Sequence, residues 1–440
     1  MLGYYFHLAV RSLRRNLALT LLAIAVIGVG TGASMSMLTI LRAASGDPIP
    51  EKSTQLFTPQ IDNFGPQPGA PPQGQDELPT SLTYTDAVAL MQARGPVQQA
   101  AMYPAKVTII ASGTRELPLQ GQALATDSGF FPMFDVPFEY GGAWSRGEDK
   151  DHAPVVVLAH AFNDRLFGGA NSVGRSLMID GKQYRIIGVT GTWQPSPHFY
   201  DLGINSSYSS VDQLYLPFTR AIDEQLQTSG GLSCDNNGPG KGWSTLLHSN
   251  CVWINIWVEL PRAGDAAKYK ANLRNYAAEQ RHQGRVNWPP HVALRDVMRW
   301  LDYNHVVPAP VRTLTNVSYA ILLVCIFNAA GLLLSKFMTH AASVGVRRAL
   351  GATRSAIFAQ YLMEAGVIGL AGGLIGIGLT KLGLVSCRSA LAQDLSVLTR
   401  LGSSDMAIAF AMAIAAALVA GLYPTWRATR VPPGLQLKAL

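Results

Sequence analysis

Long apolar stretches alternate with polar sequence along the chain. Residues 17–41 contain no Asp, Glu, Lys or Arg. As a helix they would extend roughly 37 Å, more than the roughly 30 Å hydrocarbon core of a bilayer. This stretch is also longer than the apolar core of a signal peptide, which favours an uncleaved helix. Three similar stretches follow, 313–335, 356–380 and 406–426, each with at most one charged residue. The pattern predicts four transmembrane helices.

Residues 42–312 have the mixed composition of a soluble domain, with alternating strand and helix signals. Asp180-Gly181 separates two short apolar segments and predicts a β-hairpin. A helix is predicted over His160–Phe167, stopped by the glycine that follows it. The predicted fold class is therefore an α-helical membrane protein with four transmembrane helices and a large α+β domain, which we expect to have two lobes.

Basic residues cluster at the ends of the apolar stretches and predict the orientation. Ten of them have no acidic residue beside them, and the rest of the chain carries 25 basic against 28 acidic residues. The positive-inside rule places these clusters in the cytoplasm and the large domain in the periplasm. The net charge of +7 is explained by this topology, so no nucleic-acid partner is expected. The ten are Arg11, Arg14, Arg15, Lys336, Arg347, Arg348, Arg354, Arg427, Arg430 and Lys438.

These features predict a multi-pass protein of the bacterial inner membrane with both termini in the cytoplasm. Its lipid-facing parts alternate with segments on either side of the bilayer. The predicted order is a cytoplasmic amphipathic helix (1–16), transmembrane helix 1 (17–41), the periplasmic domain (42–312), transmembrane helix 2 (313–335), a cytoplasmic coupling segment (336–355), transmembrane helix 3 (356–380), a periplasmic loop (381–405), transmembrane helix 4 (406–426) and a cytoplasmic tail (427–440).

Three side chains stand out chemically. Cys234 and Cys251 both lie in the predicted periplasmic domain, where they could form a disulfide worth about 3 kcal/mol; two free thiols are the alternative. Glu364 lies inside the third predicted span, where an unpaired charge is costly. Its nearest basic residue on the same helix is ten positions away, so we expect another helix to supply the partner.

No catalytic or metal-binding motif is present. A P-loop requires Gly-x4-Gly-Lys-Ser/Thr, and the nearest string, residues 238–242, lacks both the first glycine and the hydroxyl residue. The histidines have no metal-ligand spacing. We therefore expect a transport subunit with no enzymatic activity, metal or cofactor of its own.

The basic segment between the second and third apolar stretches has the pattern of a short partner-binding helix. Its apolar residues share one face, its arginines flank that face, and Gly351 is placed to end the helix. A turn that contacts nothing and serves only as a positive anchor is the alternative. The candidate coupling residues are Val346, Arg347, Arg348, Ala349, Leu350, Gly351 and Ala352.

This segment, GVRRALGATR at 345–354, followed by 358–365, resembles the permease signature of MacB-type ABC transporters, a superfamily that includes FtsX and the Lol permeases. Other segments resemble the same family in the same order: 8–16, 130–137, 155–158, 184–189, 421–424 and 432–437. The resemblance therefore covers most of the chain.

The resemblance implies that two permeases, the same or homologous, pair and contact a cytoplasmic ABC ATPase dimer that binds ATP and Mg²⁺. Movement of the ATPase would reach a MacB-like periplasmic core domain by mechanotransmission and drive efflux of a peptide, antibiotic or toxin. A periplasmic adaptor and an outer-membrane channel often take part. No ATPase domain precedes Met1, so we expect a separate ATPase protein. Ser343 stands where the family usually has an acidic residue.

Two alternative functions share this layout. One is a Lol-type permease that releases lipoproteins, and the other is an FtsX-like regulator of periplasmic cell-wall hydrolases. The turn is more similar to MacB than to the Lol permeases, and the domain of FtsX-like proteins is typically much smaller than residues 42–312.

Overall fold

The computed structural model describes residues 16–65, 77–93, 98–111, 118–203, 212–235, 238–262, 264–339, 346–348, 350–390 and 403–430, together with Ser12 and Val344. The chain divides into two compact units. The helical unit comprises Met1–Ser45 and Val307–Leu440, and the sheet domain comprises Gly46–Val306.

In chain order the described helices are α1 (Leu17–Ser45), α2 (Tyr84–Gln92), α3 (Phe130–Met133), α4 (Arg146–Lys150), α5 (His160–Phe167), α6 (Phe218–Asp223), α7 (Trp243–His248), α8 (Asp265–His282), α9 (Val297–Tyr303), α10 (Ala309–Thr339), α11 (Arg354–Ala390) and α12 (Ser403–Arg430). The described strands are β1 (Leu56–Ile61), β2 (Leu82–Thr83), β3 (Gln98–Ala111), β4 (Leu119–Thr126), β5 (Phe138–Gly141), β6 (Val155–Leu158), β7 (Ser176–Ile179), β8 (Lys182–Thr190), β9 (Leu214–Pro217), β10 (Val252–Glu259) and β11 (Val292–Asp296).

Within the described part of the chain, four helices are long and apolar enough to cross a membrane: α1, α10, α11 and α12. This confirms the predicted set of four spans. The helices run past the predicted limits of the spans, and α11 continues to Ala390, into the segment predicted as a loop. Most of the predicted amphipathic helix (1–16), residues 391–402 of the predicted loop and residues 431–440 of the predicted tail lie outside the described residues.

Small residues bring α1 and α11 close together. A Cβ added to Gly32 would lie 2.8 Å from the Leu379 side chain, and one added to Gly376 would lie 2.5 Å from the Thr31 hydroxyl. Both distances are shorter than real Cβ contacts, so larger residues here would push the helices apart. Close packing through small residues is a main source of helix association in a bilayer.

The sheet domain is built on one mixed sheet in the order β11-β1-β10-β3-β4-β9-β6-β8-β5. The β7–β8 hairpin turns at Asp180-Gly181, both with positive φ, which confirms the predicted hairpin. β3 has 14 residues and pairs with β10 at its start and with β7 at its end, so the sheet is not interrupted. The division of the domain into two lobes stays a prediction.

An aromatic cluster fills one side of this sheet. Phe130 and Phe131 from α3 pack edge-on against Tyr200 and Trp144, respectively, and both contact Tyr215 of β9. All five side chains are at most 2% exposed. Burial of large aromatic side chains supplies most of the apolar area in a core of this kind.

Candidate coupling site

The segment that joins α10 to α11 contains a short helix with a defined end. Residues 346–348 are helical. The Leu350 N–H donates to the Val346 carbonyl (3.0 Å), and the Ala352 N–H donates to the Arg347 carbonyl (3.0 Å). Gly351 has φ +97° and its N–H donates to the Arg348 carbonyl (3.1 Å). These bonds form a Schellman motif, which uses glycine in the left-handed region. Gly351 therefore ends the helix as the sequence predicts; Ala349 lies outside the described residues.

One side of this turn is anchored in the helical unit. Val344 is 5% exposed and belongs to an apolar cluster with Phe337 of α10 and Ile357 of α11. Ala352 packs against the same cluster. The anchored side fixes where the rest of the turn points.

The other side of the turn presents apolar side chains without cover from the described residues. Leu350 is 83% exposed and Val346 is 47% exposed. Arg347 donates to the Gln360 side chain of α11 (3.0 Å), and Arg348 donates to the Thr429 carbonyl of α12 (3.5 Å). Both guanidinium groups are thereby held next to the exposed apolar pair. An apolar pair of this kind beside fixed positive charges is suited to a complementary groove on another protein.

Glu364 is fully buried in α11, and its partner comes from α10. Its carboxylate lies 2.5 Å from the Lys336 ammonium. Lys336, 1% exposed, also donates to the Thr20 hydroxyl of α1 (2.8 Å), and the Ser12 hydroxyl donates to both carboxylate oxygens of Glu364 (3.2 and 3.1 Å). We call these four residues the polar clamp.

The structure corrects one detail of the sequence analysis. Lys336 was counted there among the basic residues that have no acidic residue beside them. The structure instead buries its ammonium on Glu364, since Lys336 is still inside α10 and three residues before its end. The spacing along the sequence could have indicated this pair. Lys336 and Glu364 are each fourteen residues from Leu350, so the helices before and after the turn place them at a similar distance from it.

In the sheet domain, Cys234 and Cys251 form a disulfide. The bond lies beside two backbone hydrogen bonds that join Ser233 and Val252 (3.2 and 2.8 Å). It thereby holds the loop that carries α7 onto the start of β10. The Trp243 ring of this loop packs against the buried Trp253 ring.

Removing this disulfide is expected to destabilise the sheet domain. The bond closes a loop of 17 residues, and constraint of the unfolded chain by such a loop is worth about 3 kcal/mol. We expect the C234A/C251A variant to unfold at a lower urea concentration, as measured by tryptophan fluorescence of the full chain; seven of its eight tryptophans lie in this domain. Dithiothreitol should lower the wild-type midpoint equally and leave the variant unchanged. Equal midpoints for wild type and variant would contradict the prediction.

A buried ionisable group makes the sheet domain sensitive to pH. Asp212 is 1% exposed and accepts a hydrogen bond from the Tyr200 hydroxyl (2.6 Å). Burial, with the nearby Asp201 carboxylate, raises the pKa of Asp212 to about 7, against opposing contributions from His198 and Tyr200. Burial also lowers the pKa of His198.

The D212N substitution should therefore flatten the pH dependence of stability. The folded pKa of Asp212 lies above its ordinary value of 3.8. Its contribution to stability is thus full below about pH 4 and is lost as the pH rises through 7. The lowered pKa of His198 has the opposite effect on the pH dependence of stability. The quantity to compare between wild type and variant is therefore the change in the free energy of unfolding from pH 5 to pH 8. We expect the wild type to lose about 1–3 kcal/mol more than D212N, and parallel profiles would exclude this assignment.

No group of three or more His, Cys, Asp or Glu side chains within the described ranges could hold a metal ion. The P-loop-like string at 238–242 lies in the disulfide-closed loop of the sheet domain. The charged contacts among the described residues include the turn, the polar clamp, the Arg42–Asp405 pair and ionic contacts inside the sheet domain.

Comparison with known proteins decides the family. The model of the MacB-like periplasmic core domain matches residues 20–276, more than half of the chain, and the model of the FtsX-like permease C-terminal region matches residues 316–433. The chain belongs to the MacB/FtsX family of ABC transporter permeases. The resemblance inferred from the turn and the flanking motifs is confirmed.

Among the relatives of this MacB-type permease is the macrolide export ATP-binding/permease protein MacB of Azoarcus sp., 25% identical over 98% of this chain and 58% of the relative. Another is the pyoverdine export ATP-binding/permease protein PvdT of Pseudomonas syringae pv. syringae, 23% identical over 70% of this chain and 41% of the relative. The chain thus spans about three fifths of the Azoarcus protein. The periplasmic region of MacB from Actinobacillus actinomycetemcomitans aligns over 57% of this chain and 92% of that one, at 13% identity and a TM-score of 0.36.

Proposed function

We propose that this permease is the membrane subunit of an exporter that an ABC ATPase drives through the turn between α10 and α11. We take the ATPase to be a dimer that binds ATP and Mg²⁺. A second permease, the same or homologous, would complete the complex. The observation that carries the proposal is the turn itself: Leu350 is 83% exposed on a helix end that hydrogen bonds and buried contacts hold in place.

The design of the turn fits the transmission of force. A flexible loop would absorb the movement of a partner, whereas this turn is closed by a Schellman motif and held on α11 and α12 by two arginines. Movement of a groove around Leu350 would therefore displace the ends of both helices. This supports mechanotransmission from the ATPase to the sheet domain, which we place in the periplasm.

The proposed cargo is a peptide, antibiotic or toxin already outside the inner membrane. Two relatives are named as exporters of chemically different compounds, a macrolide and pyoverdine. This supports export as the function but does not identify the compound that is exported. The proposed localisation is the bacterial inner membrane with both termini in the cytoplasm, because the basic segments flank the apolar helices. We keep a periplasmic adaptor and an outer-membrane channel as further proposed partners.

Purification from native membranes tests the proposal. We expect the tagged chain to retain an ABC ATPase and a vanadate-sensitive ATP hydrolysis activity. In parallel, an R347C variant, in a background with Cys325 and Cys387 replaced by Ala, should react with a membrane-impermeant maleimide only after the inner membrane is opened. A purified complex without an ATP-hydrolysing subunit, or labelling of position 347 from the periplasm, would overturn the proposal.

A further inference from the structure

The polar clamp joins α10 and α11, two helices whose backbones are in limited direct contact. α10 and α11 each pack extensively on α1 and on α12, whereas the α10 and α11 backbones come close to one another at few positions. The Lys336–Glu364 pair therefore crosses the bundle between two helices that face each other diagonally. The Phe337 and Tyr361 rings meet beside it, with centroids 4.2 Å apart.

The clamp and the turn act on the same face of α11. Arg347 of the turn bonds Gln360, and Lys336 bonds Glu364. Gln360 and Glu364 are four residues apart, so they lie one helical turn apart on one face. A displacement of the turn that moves Gln360 must therefore move Glu364, and with it the Lys336 ammonium.

From Lys336 the connection continues to α1. The Lys336 ammonium donates to Thr20 near the start of α1, and the Glu364 carboxylate is bonded by Ser12, eight residues earlier in the chain. α1 ends at Ser45, directly before the first residue of the sheet domain. The clamp thus joins the element next to the turn to the helix that leads into that domain.

Stability alone does not account for a charge pair at this depth. Removing two ions from water costs about as much as their attraction returns, and replacing a buried pair by well-packed apolar residues is often neutral or stabilising. What a buried pair of this kind does provide is a fixed geometry, because each charge has few alternative partners in an apolar bundle.

We propose that Lys336 and Glu364, with Thr20 and Ser12, form the positioning site that passes movement of the turn to α1. This inference rests on the proposed coupling to an ATPase. It assigns the pair no contact with nucleotide or cargo. The pair adds to the direct packing of α1 on α11 in setting the position of α1 relative to the turn. Without it, less of the movement of the turn would reach α1.

The experiment uses the complex purified with its ATPase and compares the nucleotide-free form with the form trapped by ADP and vanadate. Hydrogen–deuterium exchange is followed in peptides from the turn and in peptides from Gly46–Val306. In the wild type the exchange of both regions should change on trapping.

Two variants test the pair. E364Q removes the carboxylate charge at nearly constant shape, and K336M/E364L replaces the pair by apolar residues that should fold well. In both variants the turn should respond as in the wild type. The response of the sheet domain should fall by about 5- to 10-fold, which corresponds to a coupling free energy of about 1–1.4 kcal/mol.

Two controls separate this role from a merely structural one. K336E/E364K restores the pair with reversed charges and should recover most of the sheet-domain response. D405N removes one charge of the Arg42–Asp405 pair (3.8 Å), which joins the C-terminal end of α1 to the N-terminal end of α12. This variant should leave the response unchanged. If K336M/E364L responds like the wild type, or if the reversed pair gives no recovery, the clamp is not the positioning site. If the ATPase does not copurify with the wild type, or its turn does not respond, the proposed function itself has failed.

Discussion

The L350D substitution should abolish ATP-driven activity while leaving the permease folded. Leu350 is 83% exposed and makes no buried contact whose loss would destabilise the helical unit. A carboxylate at the centre of an apolar contact would have to be desolvated when the partner binds, and this cost would weaken the complex. The loss of one such central apolar contact typically costs at least about 2 kcal/mol of binding free energy, or roughly a 30-fold weaker complex.

The measurement is the amount of ATPase retained by purified L350D, together with its vanadate-sensitive hydrolysis. L232D is the matched control, since Leu232 is also an exposed leucine (40%) but lies in the sheet domain. We expect L232D to retain the ATPase at the wild-type level. Retention of the ATPase and full activity by L350D would show that Leu350 lies outside the contact with the partner.

The D86A substitution should give a large loss of stability in the sheet domain. Asp86 is 1% exposed and its two carboxylate oxygens accept from Arg285 in a bidentate pair (2.5 and 2.8 Å). The Tyr276 and Thr83 hydroxyls donate to the same carboxylate (2.8 and 2.6 Å). The pair joins α2 to the segment around α8. Removing Asp86 would leave a guanidinium largely buried without its counter-charge, which typically costs about 3–5 kcal/mol.

Urea unfolding of the full chain, followed by tryptophan fluorescence, measures this loss. D164A serves as the control, because Asp164 pairs with His160 at the surface (3.4 Å, both side chains more than a third exposed), where a pair is worth at most about 1 kcal/mol. We expect the D86A midpoint to fall far more than that of D164A. Similar midpoints for the two variants would mean that solvent or a rearranged Arg285 replaces the buried pair.

The features predicted most directly were those that depend on local sequence. Four charge-poor stretches longer than a bilayer core predicted the four membrane helices, and Asp180-Gly181 predicted a hairpin, because each signal depends only on neighbouring residues. Gly351 predicted the end of the turn helix for the same reason. The residue after a helix end often has a left-handed backbone conformation, which favours glycine in any tertiary context. The orientation in the membrane and the contact with an ATPase stay predictions.

Side-chain pairing over long distances required the tertiary structure. The position of Glu364 inside a span predicted that it has a partner on another helix. The sequence did not identify that partner as Lys336, which is 28 residues away and lies beside a basic segment. The continuity of the sheet depended in the same way on β3, whose two ends pair with strands far apart in the sequence.

By itself the sequence determined the number of spans, the α+β class of the large domain, the family and the residues of the turn, because hydrophobic length, turn chemistry and motif order are properties of contiguous segments. Only the tertiary structure decided that Lys336 and Glu364 meet across the bundle, that Leu350 points away from it, and that one uninterrupted sheet organises the domain. These outcomes depend on which elements pack side by side, and packing is selected by the free energy of the whole chain.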